Sequence, residues 1–146
     1  MKERHKIICA AYLFLIKNKK ILLLRRFNTG YEDGNYSVPA GHVDKGESVA
    51  TCLIREAKEE IGIEVKKRDI NLVHVMHRNS TDDNDERLDF FFACNGWSGD
   101  VANIEPEKCD ELKWFALNAL PPNVIPYIKQ AIESTQKKIT YSELYW

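Results

Sequence analysis

The chain has 146 residues, 44% of them apolar and 29% charged, and a formal net charge of −1. That length suits one domain, expected to span residues 1–146, with a core of useful size. The near-neutral balance supplies no basic face for a stable nucleic-acid partner, and the apolar run behind the charged N-terminus is too short to cross a bilayer.

Residues 7–16 are almost all apolar, as in a strand covered on both faces. Residues 17–20 read as a polar turn and 21–24 as the returning strand, which Arg25 and Arg26 close. The two arginines suit either a solvated strand end or a phosphate, which a planar guanidinium fork grips well. Residues 27–36, with two glycines, two asparagines and three aromatics, read as a mobile loop. Its Phe27, Tyr31 and Tyr36 would either stack on a base or anchor the loop.

From Gly41 to Ile63 a glycine-containing loop runs into a helix. Ser48 is placed to cap its start, and Gly62 to end it in a left-handed backbone. At about 100° per residue, Ala50, Leu53, Ile54, Ala57 and Ile61 share an apolar face. Glu56, Glu59 and Glu60 crowd a strip beside it. Three like charges there must face water or hold a cation, and hard oxygen donors suit Mg²⁺ or Mn²⁺.

Gly41, Glu47, Arg55-Glu56, Glu59-Glu60 and Gly62-Ile63 are spaced as in the Nudix box, G-x5-E-x7-R-E-U-x-E-E-x-G-U with U a bulky aliphatic. The chain resembles MutT-like members of the Nudix hydrolase superfamily. Its one departure within the box is Ala57 at the first U, which keeps the face apolar.

Further along, Val65, residues 70–77 and residues 87–95 look like strands. The Asp-rich stretch 79–86 lacks the glycine and terminal glutamate of an EF-hand, and reads as a solvated hairpin loop. His74 and His77 are an odd number apart, so they point to opposite faces of one strand and do not form a joint metal site. Residues 96–110 form a long connection, 111–115 a short strand and 117–122 a turn. From about Val124, the residues Ile125, Ile128, Ala131 and Ile132 follow helical spacing, with Lys137 and Lys138 at the helix end. The aromatic tail 139–146 has no assigned place. Cys9, Cys52, Cys94 and Cys109 lack zinc or disulfide spacing, and read as buried free thiols in a reducing, cytoplasmic setting. The order of strands and helices gives an α/β fold, with a mixed sheet between helices.

The resemblance implies the Nudix αβα sandwich and metal-dependent hydrolysis of a nucleoside diphosphate linked to another group. It implies metal ligation by Glu56, Glu59, Glu60 and the backbone carbonyl at position 40, where many members have glycine and this chain has Ala40. Glu59 and Glu60 are thereby catalytic candidates, and Arg26 is the candidate phosphate contact. Glu47 and Arg55 would pair and orient the glutamates, with Gly41 and Gly62 as structural positions of the box. MutT-like relatives also bring a glutamate from the loop before the last strand. Among Glu105, Glu107 and Glu111, the choice is Glu107, which follows the stiffening Pro106, as an outer metal ligand or proton acceptor. The ADP-ribose and diadenosine-polyphosphate signatures are missing at 77–80 and those for coenzyme A and NADH are not visible, which leaves a free nucleoside di- or triphosphate as the expected substrate. The competing class is a nucleotide-binding module of the same fold without turnover.

Overall fold

The computed structural model describes residues 2–80 and 85–146. Strand β1 (Ile8–Lys17) is its axis, and its side chains alternate between two cores. Ala10, Tyr12 and Phe14 face helix α2 (Pro126–Gln136), packing with Ile128, Ala131 and Ile132. Ala11, Leu13 and Leu15 face helix α1 (Val49–Ile61), packing with Leu53, Ala57 and Ile61. An unbroken apolar run is what a strand buried on both faces requires.

The other strands are β2 (Lys20–Arg26), β3 (Tyr36–Ser37), β4 (Ala40–His42), β5 (Ile70–Asn79), β6 (Glu86–Cys94), β7 (Cys109–Ala116) and β8 (Tyr141–Leu144). They are ordered β3-β2-β1-β6-β5-β8, with β4 on β1 and β7 on β2. The β1–β6 and β5–β8 pairs are parallel and the rest antiparallel, so the sheet is mixed and lies between the two helices. This is the αβα sandwich that the sequence implied.

The departure of β2 from β1 shapes the site. The hairpin turns through Asn18 and Lys19, both in the left-handed region (φ 52° and 61°), the pattern that matches the twist of a tight hairpin. After Ile16↔Ile21 the strands diverge, and β2 continues against β7. Short β4 takes the freed edge of β1, with Ala10↔His42 and Tyr12↔Ala40 as partners. Ala40 and Gly41 are thereby brought against α1.

Several boundaries differ from expectation. Strands β3 and β4 carry too few residues for a periodic signal. The strand foreseen at Val65 is a single bridge, Glu64↔Ser98. Strand β7 begins at Cys109, because it pairs with β2 as far as Arg26. Helix α2 begins at Pro126, whose missing N–H costs nothing in a first turn. Cys9 is partly exposed, whereas the other three free cysteines are buried. The hairpin-loop expectation for 79–86 falls partly outside the described residues, although Asn79 and Glu86 are antiparallel partners at its ends.

The tail without an assigned place forms β8, parallel to β5 from Val75↔Tyr141 to Arg78↔Leu144. Buried His74 fixes it, with Nδ1 at 2.7 Å from the Ile139 carbonyl and Nε2 at 2.7 Å from Ser142 Oγ. The Trp146 indole N–H donates to the His77 carbonyl at 2.9 Å. Among the described residues, no helix is long and apolar enough to cross a membrane.

Candidate active site

Helix α1 starts and stops where its sequence directs. Ser48 Oγ accepts the Thr51 N–H at 3.1 Å. Gly62 adopts φ 74° and donates its N–H to the Lys58 carbonyl at 3.1 Å. With the ends fixed, the apolar face of α1 docks on the sheet and its carboxylates lie along one side. Gly41 of β4 passes so close that an added Cβ would sit on the Glu56 side chain. Any side chain at position 41 would have to displace the Glu56 carboxylate.

Arg55 is the hub of the loop-to-helix junction. Its Nη2 and Nε donate to the two oxygens of Glu47 at 2.7 and 3.1 Å, and its Nη1 donates to Glu56 at 2.8 Å and to Glu59 at 3.2 Å. The Arg55 hydrogen bond, helped by the Asp44 N–H, holds Glu47 down to about 2. Sequence reasoning anticipated the pairing with Glu47. It missed that the same guanidinium also tethers two of the other glutamates.

Glu56, Glu59, Glu60 and Glu105 line one cleft of about 520 Å³, with Arg26, Asn103 and Lys108 around them. Only 14% of the Glu56 side chain is exposed, against 53% for Glu59, so Glu59 is the open side of the group. Burial pushes Glu60 well above the usual carboxylate range, and Glu56 and Glu105 push it further, although the Ala40 N–H donates to it at 3.1 Å. Burial raises Glu56 too, opposed by Arg55. Among the described residues, no group of three or more His, Cys, Asp or Glu is gathered closely enough to hold a metal ion as it stands. The donor chemistry fits one all the same. Crowded, half-buried carboxylates whose charged forms are disfavoured lack positive charge, and their oxygens are the donors that a hard divalent ion takes.

The loop before β7 brings Glu105, not Glu107, into this cleft. The Ala102 and Ile104 N–H groups donate to the Ile61 and Glu60 carbonyls at 3.0 and 3.2 Å, which seats the loop on the end of α1. Glu105 follows directly, and its carbonyl then accepts the Lys108 and Cys109 N–H groups in a tight turn. That turn carries Glu107 outward, where it is exposed and outside the cleft lining. Glu111 is engaged elsewhere, accepting from the Tyr36 hydroxyl at 2.5 Å. The turn that separates Glu105 from Glu107 depends on hydrogen bonds to α1, which spacing alone does not reveal.

Arg26 ends β2 at the cleft, with Nε donating to the Tyr31 carbonyl at 2.7 Å and Nη2 to Thr29 Oγ1 at 3.1 Å. Asp33 accepts the Thr29 and Gly30 N–H groups, so the loop 27–35 is internally bonded and not the loose segment its composition suggested. Phe27 and Tyr31 are exposed at its surface, whereas Tyr36 is buried. Beyond Ala40 and Gly41, a second cavity of about 390 Å³ opens on the α2 side of β1, and Arg26 borders it as well.

The chain and its fold are similar to those of several known proteins. The family model described as the NUDIX domain matches residues 6–135. The chain is 34% identical over 110 residues to the NAD-capped RNA hydrolase NudC of Pseudomonas aeruginosa, covering 75% of this chain and 36% of that protein. It thus spans about a third of the length of that relative. Its fold superposes on the MutT NUDIX hydrolase from Burkholderia pseudomallei with a TM-score of 0.80 at 26% identity, covering 88% of this chain and 98% of the other. The MutT protein from Methanosarcina mazei is similar in fold, with a TM-score of 0.77 at 23% identity, covering 94% and 98%.

Proposed function

Since the chain belongs to the NUDIX domain family, we propose that it is a Mg²⁺-dependent hydrolase, one domain over residues 1–146. Its substrate is a nucleoside di- or triphosphate or a nucleoside diphosphate derivative, cut at a pyrophosphate bond. The observation that carries this reading is the meeting of Glu56, Glu59, Glu60 and Glu105 in one cleft bordered by Arg26.

Glu56, Glu59, Glu60 and the Ala40 carbonyl would hold Mg²⁺ or Mn²⁺. When bound, the ion neutralises pyrophosphate charge and lowers the pKa of a coordinated water. Arg26 orients a phosphate with its planar fork. Glu105 accepts the proton of the attacking water, the role that the sequence assigned to Glu107, because Glu105 is the loop glutamate that borders the cleft. Arg55 and Glu47 position Glu56 and Glu59, and touch no substrate. We take the substrate to be a free nucleotide in the cytoplasm, without a membrane or stable nucleic-acid partner.

The test is a panel of nucleotides incubated with Mg²⁺, with products separated and counted. The relative's name refers to NAD-capped RNA, and NAD is itself a nucleoside diphosphate derivative, so NAD belongs in the panel. Products that disappear in excess chelator support the hydrolase. Tight nucleotide binding with no product would instead assign a binding module.

A further inference from the structure

Arg78, on β5, is only 5% exposed, yet it borders the cavity on the α2 side of β1. Two neighbours fix its guanidinium. Nε donates to Asp89 Oδ2 at 2.8 Å and Nη2 lies 3.5 Å from Oδ1. The Tyr127 ring packs under the group with its centroid 3.7 Å from Cζ. Asp89 is fully buried and also accepts from the Tyr12 hydroxyl at 3.0 Å. Tyr12 in turn stacks on Phe91 at 4.6 Å. A buried ion pair seldom repays its desolvation through stability alone, and the catalytic reading above makes no use of this one.

A guanidinium carries five N–H donors in a rigid plane. Asp89 occupies the Nε and Nη2 edge. Among the described residues Nη1 has no protein partner, and it is not one of the sealed polar atoms. Nη1 therefore keeps donors that the protein does not occupy, on a side chain that borders the cavity. Ser37, His42, Ser80 and Arg87 also line it, and no Asp, Glu, Asn or Gln side chain does among the described residues. Of the two arginines bordering it on β5 and β6, Arg78 is the one whose plane is fixed by Asp89 and the Tyr127 ring. Ala40 and Gly41 form the wall shared with the carboxylate cleft, and Arg26 borders both spaces. A nucleotide with phosphates over the carboxylates would thus lay its base toward Arg78.

We propose that this cavity holds the substrate base by an oxo edge, with Arg78 as the specificity-determining residue, so that hypoxanthine and uracil are taken in preference to adenine and cytosine. An oxo group accepts the in-plane N–H of Arg78. An exocyclic amino group at the same place sets donor against donor away from water and leaves both unsatisfied. The inference rests on the neighbouring cleft being the phosphate site, and it names the class of base read there.

The experiment is calorimetric titration of the 5′-monophosphates of inosine, adenosine, uridine and cytidine into the wild type, Arg78→Lys and Tyr127→Leu. In the wild type each oxo member should bind about tenfold or more tighter than its amino counterpart. In Arg78→Lys, which keeps a charge for Asp89 but has no planar fork, both ratios should fall to about one. Tyr127→Leu leaves Asp89 paired and only frees the guanidinium to tilt, so its ratios should shrink, and it serves if the lysine variant does not fold. Equal or tighter binding of the amino members, no binding of any of the four, or an unchanged preference in a folded variant overturns the proposal. Triphosphates of the same bases are assayed separately for turnover. The preference without turnover supports the cavity assignment and overturns the hydrolase reading instead.

Discussion

Arg55 grips Glu47 with two hydrogen bonds, at 2.7 and 3.1 Å, and so ties the loop before α1 to the second turn of the helix. Only 14% of the Glu47 side chain is exposed. The same guanidinium reaches Glu56 and Glu59, so one side chain sets the entry of the helix and the direction of its carboxylates.

Glu47→Gln should therefore melt at a lower temperature than the wild type, by an amount that depends on pH. The folded carboxyl sits at about 2 against an ordinary 4.5. Its contribution is complete above 4.5 and is lost as pH falls toward 2, because between those values unfolding takes up a proton. Thermal melts from pH 7 to pH 2 should show the gap between variant and wild type closing only in the acid part. A gap that stays constant would mean that charge on Glu47 is not what stabilises the junction.

Glu60→Gln should show opposite effects on stability and rate. Burial and its carboxylate neighbours hold Glu60 above its ordinary value, so at neutral pH the ionised form destabilises the metal-free fold. The amide removes that charge, and its oxygen still accepts the Ala40 N–H. The melting temperature in chelator should rise while kcat with Mg²⁺ falls about 10²-fold or more. A lower melting temperature in chelator would show that the charged carboxylate contributes stability of its own.

Glu105→Gln should lower kcat by about 10² to 10⁴-fold with little change in nucleotide binding, as loss of a proton acceptor does. Glu107→Gln, exposed on the outer side of the turn, should stay near the wild-type rate. If Glu107→Gln is the crippled variant and Glu105→Gln is not, the loop turns the other way in the working enzyme.

Gly41→Ala should act on the same glutamates without changing any charge. The added methyl falls on the Glu56 side chain, which must swing away from the cleft or displace β4. The variant should lose activity by about the same factor as Glu56→Gln, and a double variant should add little, because coupled neighbours are not additive. Full additivity would place the two residues in separate roles.

The box was legible because each of its residues acts within a short stretch of chain. Ser48, Arg55 and Gly62 make polar contacts at most eleven positions away, and spacing along the chain reports such contacts directly. The apolar run of β1 was equally plain. What the sequence did not reveal is where distant segments meet. Glu105 reaches the cleft through hydrogen bonds to the end of α1. The tail finds its place beside β5 through His74, whose partners lie 65 and 68 residues away. Strand β4 is too short for any periodicity, yet it presses Gly41 on Glu56. Arg78 fell just past the strand expected at 70–77 and had no assigned role, because its importance comes from Asp89 on the next strand and Tyr127 on the far helix.

The alternation of β1 has a consequence for how such a protein can diversify. Its odd positions, Ala11, Leu13 and Leu15, support the helix that carries the carboxylates, and its even positions, Ala10 and Tyr12, form part of the cavity proposed for the base. The proposed cleavage and recognition sites thus rest on opposite faces of one strand. Substitutions on the even face should then redraw what is recognised while the face behind the carboxylate helix stays untouched, so that ligand choice can be changed without rebuilding the cleft.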